Sequence, residues 1–350
     1  MLAREVVAAG VATSAAIAWA RAPRGTAAGF TVALGEVLSP EVTGPAVFDL
    51  ASLTKPVTAT VVMQLVAAGL LSLGTRVADA LPELSGSSAA DASIEELLAH
   101  RAGLPAWGAL YRRDPWAVRA PASLPPDGPW SGQGMVRNAA SRRDAPGWEV
   151  YSDIGYVLLG EIAARTLGAP LADAWARLGL ADARARRAAD PASLERMPPT
   201  ERLDWRGVVR GEVHDENAAM LERAGGSPGH AGAFGTALEV CAFAARFAQA
   251  LEGEGDLLPA TLARAMIAPR PAGAHTLGWD LRSGDAPSSG ARFGIRTFGH
   301  LGFTGTSVWI DPDARAIAVL LTNRTWPSRD HVAIRAARPR VHDALWAIEP

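Results

Sequence analysis

Cysteine is almost absent from this sequence, in which Cys241 stands alone. A single cysteine excludes an intramolecular disulfide bond and a metal cluster held by several cysteines. Cys241 lies in the apolar pattern of residues 238–251, which indicates a buried small hydrophobic side chain rather than a nucleophile. Any chemistry that the chain performs is therefore expected from other side chains.

A large excess of charge and a long apolar run are absent as well. The formal net charge is −2 at pH 7, which gives no basic field for nucleic acid and no polybasic segment for a membrane surface. No run of apolar residues approaches the length that spans a membrane. With 350 residues, of which 49% are hydrophobic and 20% charged, the chain is expected to be a soluble globular protein of one or two domains.

The N-terminal segment imitates a targeting signal, because Ala18-Trp19-Ala20 resembles the cleavage site of a signal peptide. The segment is rich in alanine and glycine, however, and lacks an apolar core of the leucine type. We instead predict a helix over residues 2–9, followed by a strand, and a cytoplasmic location.

Lysine is the most informative absence. Among 34 Lys and Arg residues, Lys55 is the single lysine. Arginine stays charged at any working pH, so a proton-accepting role is one that it cannot fill. The single lysine therefore indicates a catalytic base. The alternative is an incidental surface lysine after a helix cap, since a bare Ser-x-x-Lys pattern often arises by chance.

The segment around this lysine reads as an extended stretch that turns into a helix. Residues 48–56 (FDLASLTKP) precede the apolar run 57–73, and Pro56 fits only the first turn of a helix. Ser52 then lies at the helix N-terminus, with Lys55 one turn later and within reach of it. The positive end of the helix dipole favours a developing negative charge on the hydroxyl and disfavours an ammonium. We therefore predict a serine nucleophile with a neutral lysine as its base.

A second candidate is Tyr151, which follows Pro146-Gly147 at the start of a predicted helix and is one of three tyrosines. Its phenol could share a proton with Lys55, each group lowering the pKa of the other, or it could relay the hydrogen. The alternative is a core tyrosine that packs against Tyr156.

A third candidate is the glycine-rich segment 299–305, just before a predicted C-terminal hairpin. Its glycines would let a substrate approach the strand edge, and the backbone N–H of Phe303 could donate to an oxyanion. His300 could meet a polar substrate group, or it could be a hydrogen-bonded residue of the wall.

The periodicity places strands at both ends of the chain and helices between them. The predicted strands are 14–21, 29–34, 308–310 and 316–322; the predicted helices are 2–9, 94–100, 151–165, 171–178, 218–223, 236–251, 259–266, 334–346, and one that begins near Ser52 and ends near Gly69 or Gly74. We predict an α+β fold, with an antiparallel sheet flanked by helices and an inserted, mainly helical region. The sheet would be formed by residues 1–75 and 236–350, the helical region by 76–235, and the site would lie between them.

Three other segments carry predictions. Residues 106–147 are irregular and contain several tryptophans, so we predict a loop that forms one wall of a cleft. Residues 181–200 are predicted to be surface loop, and the five glycines of 225–235 indicate close approach of the backbone to a neighbour. His214-Asp215-Glu216 with His230 could be imagined as a metal site, but the spacing matches no standard pattern and favours helix capping. No metal and no cofactor are therefore predicted.

Taken together, Ser52-x-x-Lys55, Tyr151-Ser152-Asp153 and His300-Leu301-Gly302 resemble, in this order, the three signature elements of the serine β-lactamase and penicillin-binding-protein superfamily. Segments such as FDLASLTKPVTAT, PGWEVYSDIGYVLLGEI and GFTGTSVWIDP are similar to its class C-like esterase branch. The resemblance covers roughly residues 3–345.

This resemblance implies the antiparallel sheet with helices and an all-helical region, and it implies roles for the candidates. Ser52 would be the acylated nucleophile, Lys55 its base, and Tyr151 the partner in proton transfer. The amides of Ser52 and Phe303 would form the oxyanion hole. His300 would take the place that is usually held by a lysine.

Two departures from the family pattern concern the substrate-binding residues Asp153, His300, Gly302 and Phe303. Asp153 replaces the usual asparagine, which adds a negative charge and removes an amide donor. His300-Leu301-Gly302 replaces Lys-Thr-Gly, which removes the fixed cation that binds the carboxylate of β-lactams and of peptides ending in D-Ala. Both changes favour an uncharged ester or amide as the substrate.

The sequence thus predicts a metal-free serine hydrolase that forms an acyl-enzyme on Ser52, most simply an esterase on small carboxylic esters. The alternatives are a β-lactamase or a D-Ala-D-Ala-type peptidase. A sensor or scaffold that binds cell-wall fragments without turnover is an alternative of another class, although such a protein has no need for Ser52, Lys55 and Tyr151 together.

Overall fold

The computed structural model describes residues 1–23, 29–118, 120–180, 191–271 and 273–349. The strands within these ranges are β1 Ala15–Arg21, β2 Thr31–Val37, β3 Phe48–Asp49, β4 Glu201–Leu203, β5 Gly207–Val209, β6 Phe234–Gly235, β7 Asp280–Leu281, β8 Phe298–Leu301, β9 Ser307–Asp311 and β10 Ala316–Thr322. The α-helices are α1 Leu2–Ala8, α2 Thr54–Ala67, α3 Val77–Ala80, α4 Ile94–Leu98, α5 Gly132–Ala140, α6 Asp153–Leu167, α7 Leu171–Arg177, α8 Pro191–Glu195, α9 Glu216–Arg223, α10 Ala237–Glu252, α11 Ala260–Ile267 and α12 Ile334–Leu345.

The main sheet has six strands in the order β2-β1-β10-β9-β8-β7, and every neighbouring pair is antiparallel. The first predicted strand therefore pairs with the last one, with Ala15 opposite Thr322 and Arg21 opposite Ala316. This confirms the α+β fold class and the predicted pairing of the two ends of the chain. The strands β7 and β8 were not predicted, because each is too short to show an alternating pattern.

Helices cover both faces of this sheet. Along β1, Ala16 and Ala18 belong to the large buried cluster that includes α10 and the central helices, whereas Ile17 and Trp19 pack with α1 and α12. Small side chains on one face and large ones on the other follow the two-residue period of a strand. The predicted first strand thus lies buried between two layers of helices.

The middle of the chain is mainly helical, as predicted, and shares its core with the sheet. α6 contacts α2, α4 and α5, and the large buried cluster runs continuously from these helices to β10. Ser93 caps α4, with its Oγ accepting from the N–H of Glu96, and Ser152 caps α6, with its Oγ accepting from the N–H of Gly155. The division into 1–75 with 236–350 and 76–235 stays a prediction.

The irregular segment 106–147 corrects one prediction, because residues Gly132–Ala140 form α5 with Ser131 as its N-cap. The glycines at 132 and 134 lower the helix propensity of this stretch, which is why its sequence does not predict the helix. Of the predicted surface loop 181–200, residues 181–190 lie outside the described ranges and α8 follows at 191. The connection between the predicted strands 14–21 and 29–34 also lies partly outside them. In the segment 225–235, an added Cβ at Gly229 would lie 2.3 Å from the carbonyl oxygen of Tyr156, which confirms the predicted close approach.

Candidate active site

The nucleophile segment turns sharply before it becomes a helix. Strand β3 ends at Asp49, a single 3-10 turn covers Ala51–Leu53, and α2 starts at Thr54. Ala51 has a φ of +47°, which is unfavourable for a residue with a Cβ. The Asp49 side chain stabilises the turn, since its Oδ1 accepts from the N–H of Ala51 at 2.8 Å. Ser52 is therefore presented by a strained turn at the start of a buried helix.

Lys55 is completely buried one turn later and makes three polar contacts. Its Nζ lies 2.8 Å from Oγ of Ser52, 3.1 Å from the carbonyl oxygen of His230 and 2.6 Å from Oδ1 of Asp153. The alternative of an incidental surface lysine is thus wrong. The structure also fixes the position of Asp153, the residue that departs from the family pattern, because its carboxylate lies next to the amine of the predicted base. That Lys55 acts in its neutral form stays a prediction.

Tyr151 lies beside the same amine, with Nζ of Lys55 4.8 Å from the centre of its ring. Burial raises the pKa of the Tyr151 phenol well above its ordinary value, and the carboxylates of Asp153 and Asp280 raise it further, while a hydrogen bond with Ser52 acts in the opposite direction. The predicted lowering of this pKa is therefore wrong. A protonated phenol beside the amine of Lys55 suits the other predicted role, the relay of a proton.

The third predicted element meets the nucleophile turn directly. Thr304 Oγ1 donates to the carbonyl oxygen of Asp49 at 2.8 Å, and Thr306 Oγ1 donates to that of Leu50 at 2.9 Å. An added Cβ at Gly302 would lie 2.6 Å from the Leu50 carbonyl oxygen, so this position requires a glycine. The two hydrogen bonds from the threonine hydroxyls hold the loop 302–306 against the turn that carries Ser52. The absence of a side chain at Gly302 allows the two backbones to come this close.

Phe303, the predicted oxyanion donor, lies in this loop. Its N–H donates to no acceptor within the described part of the chain, and its side chain is 39% exposed. Residues 302 and 303 line a cavity of about 420 Å³ together with Ser52, Tyr151 and His300. A free N–H beside the nucleophile is what an oxyanion hole needs.

His300 lies in β8 on the wall of this cavity and is 2% exposed. Its Nδ1 lies 2.8 Å from the carbonyl oxygen of Leu301, which fixes the proton on that nitrogen. Burial lowers the pKa of His300, although the carboxylate of Asp280 raises it, so the imidazole is neutral at pH 7. Its Nε2 is then a hydrogen-bond acceptor, and His300 does not replace the charge of the family's lysine.

A family model with the description Beta-lactamase matches residues 4–341. The chain belongs to the beta-lactamase family. One relative, a putative D-alanyl-D-alanine carboxypeptidase of Escherichia coli (strain K12), is 26% identical over 317 residues, which cover 79% of this chain and 69% of the relative.

Solved structures of similar fold carry the names of hydrolytic enzymes. The class C beta lactamase from Rhodobacter sphaeroides is 19% identical with a TM-score of 0.67, over 99% of this chain and 97% of that one. EstCE1, a hydrolase with promiscuous acyltransferase activity, is 18% identical with a TM-score of 0.68, over 99% and 96%. These likenesses confirm the predicted fold, and the family confirms a hydrolase as the enzyme class.

In this member of the beta-lactamase family, several residues near Tyr151 were missed by sequence reasoning. The ring of His100 lies 4.6 Å from that of Tyr151, and the ring of His275 lies 5.3 Å from it. Nδ1 of His275 lies 2.6 Å from Oε1 of Glu149, and its Nε2 lies 3.4 Å from Oδ1 of Asp280. These residues belong to no motif in the sequence, and most of them are far apart along the chain, so that only the fold brings them together.

Arginines also line the cavity. Arg324, Arg329, Arg335 and Arg338 all line it, and residues 106–147 contribute none of its lining. The loss of the family's lysine at position 300 therefore does not leave the cavity without cations. The described part of the loop 106–147, predicted as a cleft wall, does not line this cavity. A sequence signal existed, since five arginines and one acidic residue occur between 324 and 340, with Arg335 and Arg338 one helical turn apart.

The sequence predicts helix capping, in preference to a metal site, for the group His214-Asp215-Glu216, and the structure shows such a cap. Asp215 is the N-cap of α9, with its Oδ1 accepting from the N–H of Ala218 at 2.8 Å. The same oxygen lies 2.8 Å from Nε2 of His230, whose carbonyl oxygen contacts Lys55. The contact between Asp215 and His230 thus helps to fix the position of the carbonyl oxygen that contacts the amine of Lys55.

Across the described ranges, no helix is both long and apolar enough to span a bilayer.

Proposed function

We propose that this beta-lactamase-family hydrolase is a serine esterase that forms an acyl-enzyme on Ser52 and acts on small carboxylic esters. The observation that carries the proposal is the contact of 2.8 Å between a fully buried, solitary lysine amine and the Ser52 hydroxyl at the mouth of a cavity. Nucleophile and base within hydrogen-bond reach, with a third group orienting the base, are the requirement for covalent catalysis.

In the proposed first step, Oγ of Ser52 attacks the ester carbonyl carbon and its proton passes to Lys55. The carbonyl oxygen becomes an oxyanion, which the N–H groups of Ser52 and Phe303 stabilise. The tetrahedral intermediate then collapses with cleavage of the ester C–O bond. The alcohol leaves with a proton from Tyr151, whose raised pKa keeps its phenol protonated at neutral pH.

In the second step, water attacks the acyl-Ser52 ester and releases the carboxylic acid. The water proton returns through the same groups, so that Ser52, Lys55 and Tyr151 recover their starting protonation. The neutral Nε2 of His300 can accept a hydrogen bond from the substrate or from this water. No cofactor enters either step. The cytoplasmic location predicted above also belongs to this proposal.

Hydrolysis of p-nitrophenyl acetate tests the proposal, with nitrocefin as the probe for β-lactamase activity. We expect turnover of the acetate, weak or no turnover of nitrocefin, and a fluorophosphonate adduct on the wild type that the Ser52→Ala variant does not form, as seen by intact mass. Ser14→Ala is the matched control and should label normally, because the hydroxyl of that serine contacts Oγ and N of Ser39, far from Lys55.

Other outcomes favour the alternatives. Faster turnover of nitrocefin, or of a peptide ending in D-Ala-D-Ala, would replace the esterase with a β-lactamase or with the peptidase activity named in the Escherichia coli relative. A burst of acylation without later turnover would favour a sensor. Labelling of Ser52→Ala at the wild-type rate would overturn the nucleophile assignment.

A further inference from the structure

One histidine that lines the cavity of Ser52 has no role in the steps proposed above. His275 precedes β7, and its ring lies 5.3 Å from that of Tyr151. Its side chain is 21% exposed, whereas the side chain of His300 is 2% exposed and His100 is buried. His275 is thus the member of this histidine group that is most accessible to water in the cavity.

Glu149 fixes the orientation of this imidazole. Oε1 of Glu149 lies 2.6 Å from Nδ1 of His275, and the carboxylate also accepts from the backbone N–H groups of Ala274 and His275 at 3.2 Å each. Burial raises the pKa of Glu149, but the hydrogen bond with His275 and the two backbone donors bring it below its ordinary value, so the carboxylate is ionised at pH 7. An ionised carboxylate only accepts, so in the neutral imidazole the proton lies on Nδ1 and Nε2 has a free lone pair.

This free nitrogen lies beside a buried acceptor. Nε2 of His275 lies 3.4 Å from Oδ1 of Asp280, and Nε2 of His300 lies 3.8 Å from the same oxygen. Oδ1 of Asp280 makes no hydrogen bond with any described residue. Both Asp280 and His275 line the cavity. Two neighbouring acceptors at a cavity wall suit a polar ligand that carries two donor hydrogens.

A water molecule has the donors that these two acceptors need. It can donate one hydrogen to Oδ1 of Asp280 and the other to Nε2 of His275. Both hydrogens are then engaged, and an oxygen lone pair is free to attack a carbonyl carbon. After proton transfer, the charged imidazole lies between the carboxylates of Glu149 and Asp280, which stabilise it.

We infer that His275 is the general base of deacylation and that Glu149 is its positioning residue. The inference rests on the proposed function for the acyl-enzyme on Ser52, and it assigns the two half-reactions to different bases. Lys55, whose Nζ contacts Oγ of Ser52, serves acylation. His275 serves the attack of water on the acyl group, so that the water proton reaches His275 before it returns to Tyr151.

In the inferred step, the water oxygen forms a bond with the acyl carbon while one water proton passes to Nε2 of His275. As the tetrahedral intermediate collapses, the bond between this carbon and Oγ of Ser52 breaks, and Oγ takes a proton from Tyr151. The proton on His275 then returns to Tyr151 through cavity water. The carboxylic acid leaves with the second water hydrogen, and every group has its starting protonation.

Separate measurement of the two half-reactions tests the role of His275. In His275→Asn the side-chain amide can keep the hydrogen bond to Glu149, but no acceptor remains at the position of Nε2. With p-nitrophenyl acetate we expect a burst of p-nitrophenol at a rate within about threefold of the wild type, because acylation uses Lys55. Hydrolysis of the acetyl-enzyme, followed by intact mass after removal of the substrate, should slow by about a hundredfold or more.

Two further variants and a second nucleophile sharpen this test. Glu149→Gln should slow deacylation by about tenfold and leave acylation unchanged, because it acts through the orientation of His275. His331→Asn makes the same change at an exposed histidine outside the cavity lining and should leave both half-reactions unchanged. Hydroxylamine attacks esters without a base, so it should release the acetyl group from His275→Asn at a rate within about tenfold of wild-type deacylation. A site that is merely disturbed would not be rescued in this way.

The outcomes separate this inference from the proposed function. Acetylation of Ser52 in all variants, with slow hydrolysis in His275→Asn and rescue by hydroxylamine, would support both. Equal hydrolysis of the acetyl-enzyme by wild type and His275→Asn, or an equal loss of both half-reactions in the folded variant, would overturn the role of His275 and leave the acyl-enzyme mechanism standing. Failure of the wild type to become acetylated on Ser52 would overturn both.

Discussion

At the scale of single residues, the reactivity of Ser52 depends on the surroundings of one amine. Lys55 is enclosed by Ser52, Asp153 and the His230 carbonyl, so its position is fixed from three sides. A flexible lysine would lose much of its effect, because covalent catalysis needs the base within hydrogen-bond distance of the nucleophile.

Replacement of Lys55 by methionine or arginine should abolish acylation. Methionine keeps the approximate length of the side chain without a basic nitrogen, and arginine keeps the charge without the ability to accept a proton. We expect kcat/KM for p-nitrophenyl acetate to fall by about 10³ or more in both variants. Circular dichroism of the Lys55→Met variant checks that the fold is kept. Normal turnover in either folded variant would contradict the role of Lys55 as the base.

The identity of the candidate catalytic residues could be predicted from the sequence, but the burial and the charged neighbours of these residues could not. The scarcity of lysine pointed to Lys55, and local spacing placed Ser52 beside it. The direction of the Tyr151 pKa shift was wrong, because the shift depends first on burial, then on the nearby Asp153, and then on Asp280, which is 129 positions away in the sequence. The arginines between 324 and 340 are clustered in the sequence, but that four of them line the cavity with Ser52 is visible only in three dimensions.

At the scale of elements, the site depends on the contact between the loop that follows β8 and the turn that precedes α2. The loop 302–306 is distant from α2 in the sequence, yet two threonine hydroxyls and one glycine hold it against the turn before that helix. The sequence revealed the glycines but not the threonine contacts, because a hydroxyl has no period or spacing that discloses its acceptor.

The variant Thr306→Val removes one of these hydroxyls at nearly constant volume. We expect kcat to fall by about tenfold to a hundredfold with KM little changed, since a small shift of the Phe303 N–H weakens oxyanion stabilisation. The free energy of unfolding in urea should fall by about 1 kcal/mol. Thr297→Val is the control, because that hydroxyl is buried without a partner among the described residues. An unchanged kcat in Thr306→Val would show that the contact does not align the site.

At the scale of the whole molecule, the topology was the most predictable property. Strands at both ends of the chain and helices between them admit few arrangements, and the antiparallel pairing of β1 with β10 follows from them. The extent of the core was not predictable, because it arises from contacts between distant segments. One buried cluster joins the sheet to the central helices, so we treat unfolding as a single cooperative process.

The buried histidine of α12 makes this stability depend on pH. His342 is fully buried, with Nδ1 2.7 Å from the carbonyl oxygen of Ser288 and Nε2 3.1 Å from Oγ of Ser307. Burial lowers its pKa to about 4 in the folded protein, with Arg338 adding to the effect and Asp343 opposing it. The unfolded chain, with an ordinary pKa near 6.5, binds the proton first as the pH falls.

The contribution of His342 is therefore complete above pH 6.5 and is lost progressively as the pH falls towards 4. Between pH 7.5 and 5 the loss is about 2 kcal/mol for this residue. In urea unfolding, His342→Asn should lower the stability at pH 7.5, because its packing is disturbed, but should show a smaller drop on going to pH 5 than the wild type by about that amount. His331→Asn replaces an exposed histidine and should keep the wild-type pH dependence. If His342→Asn and the wild type lose equal stability over this interval, the buried imidazole is not a source of the acid sensitivity.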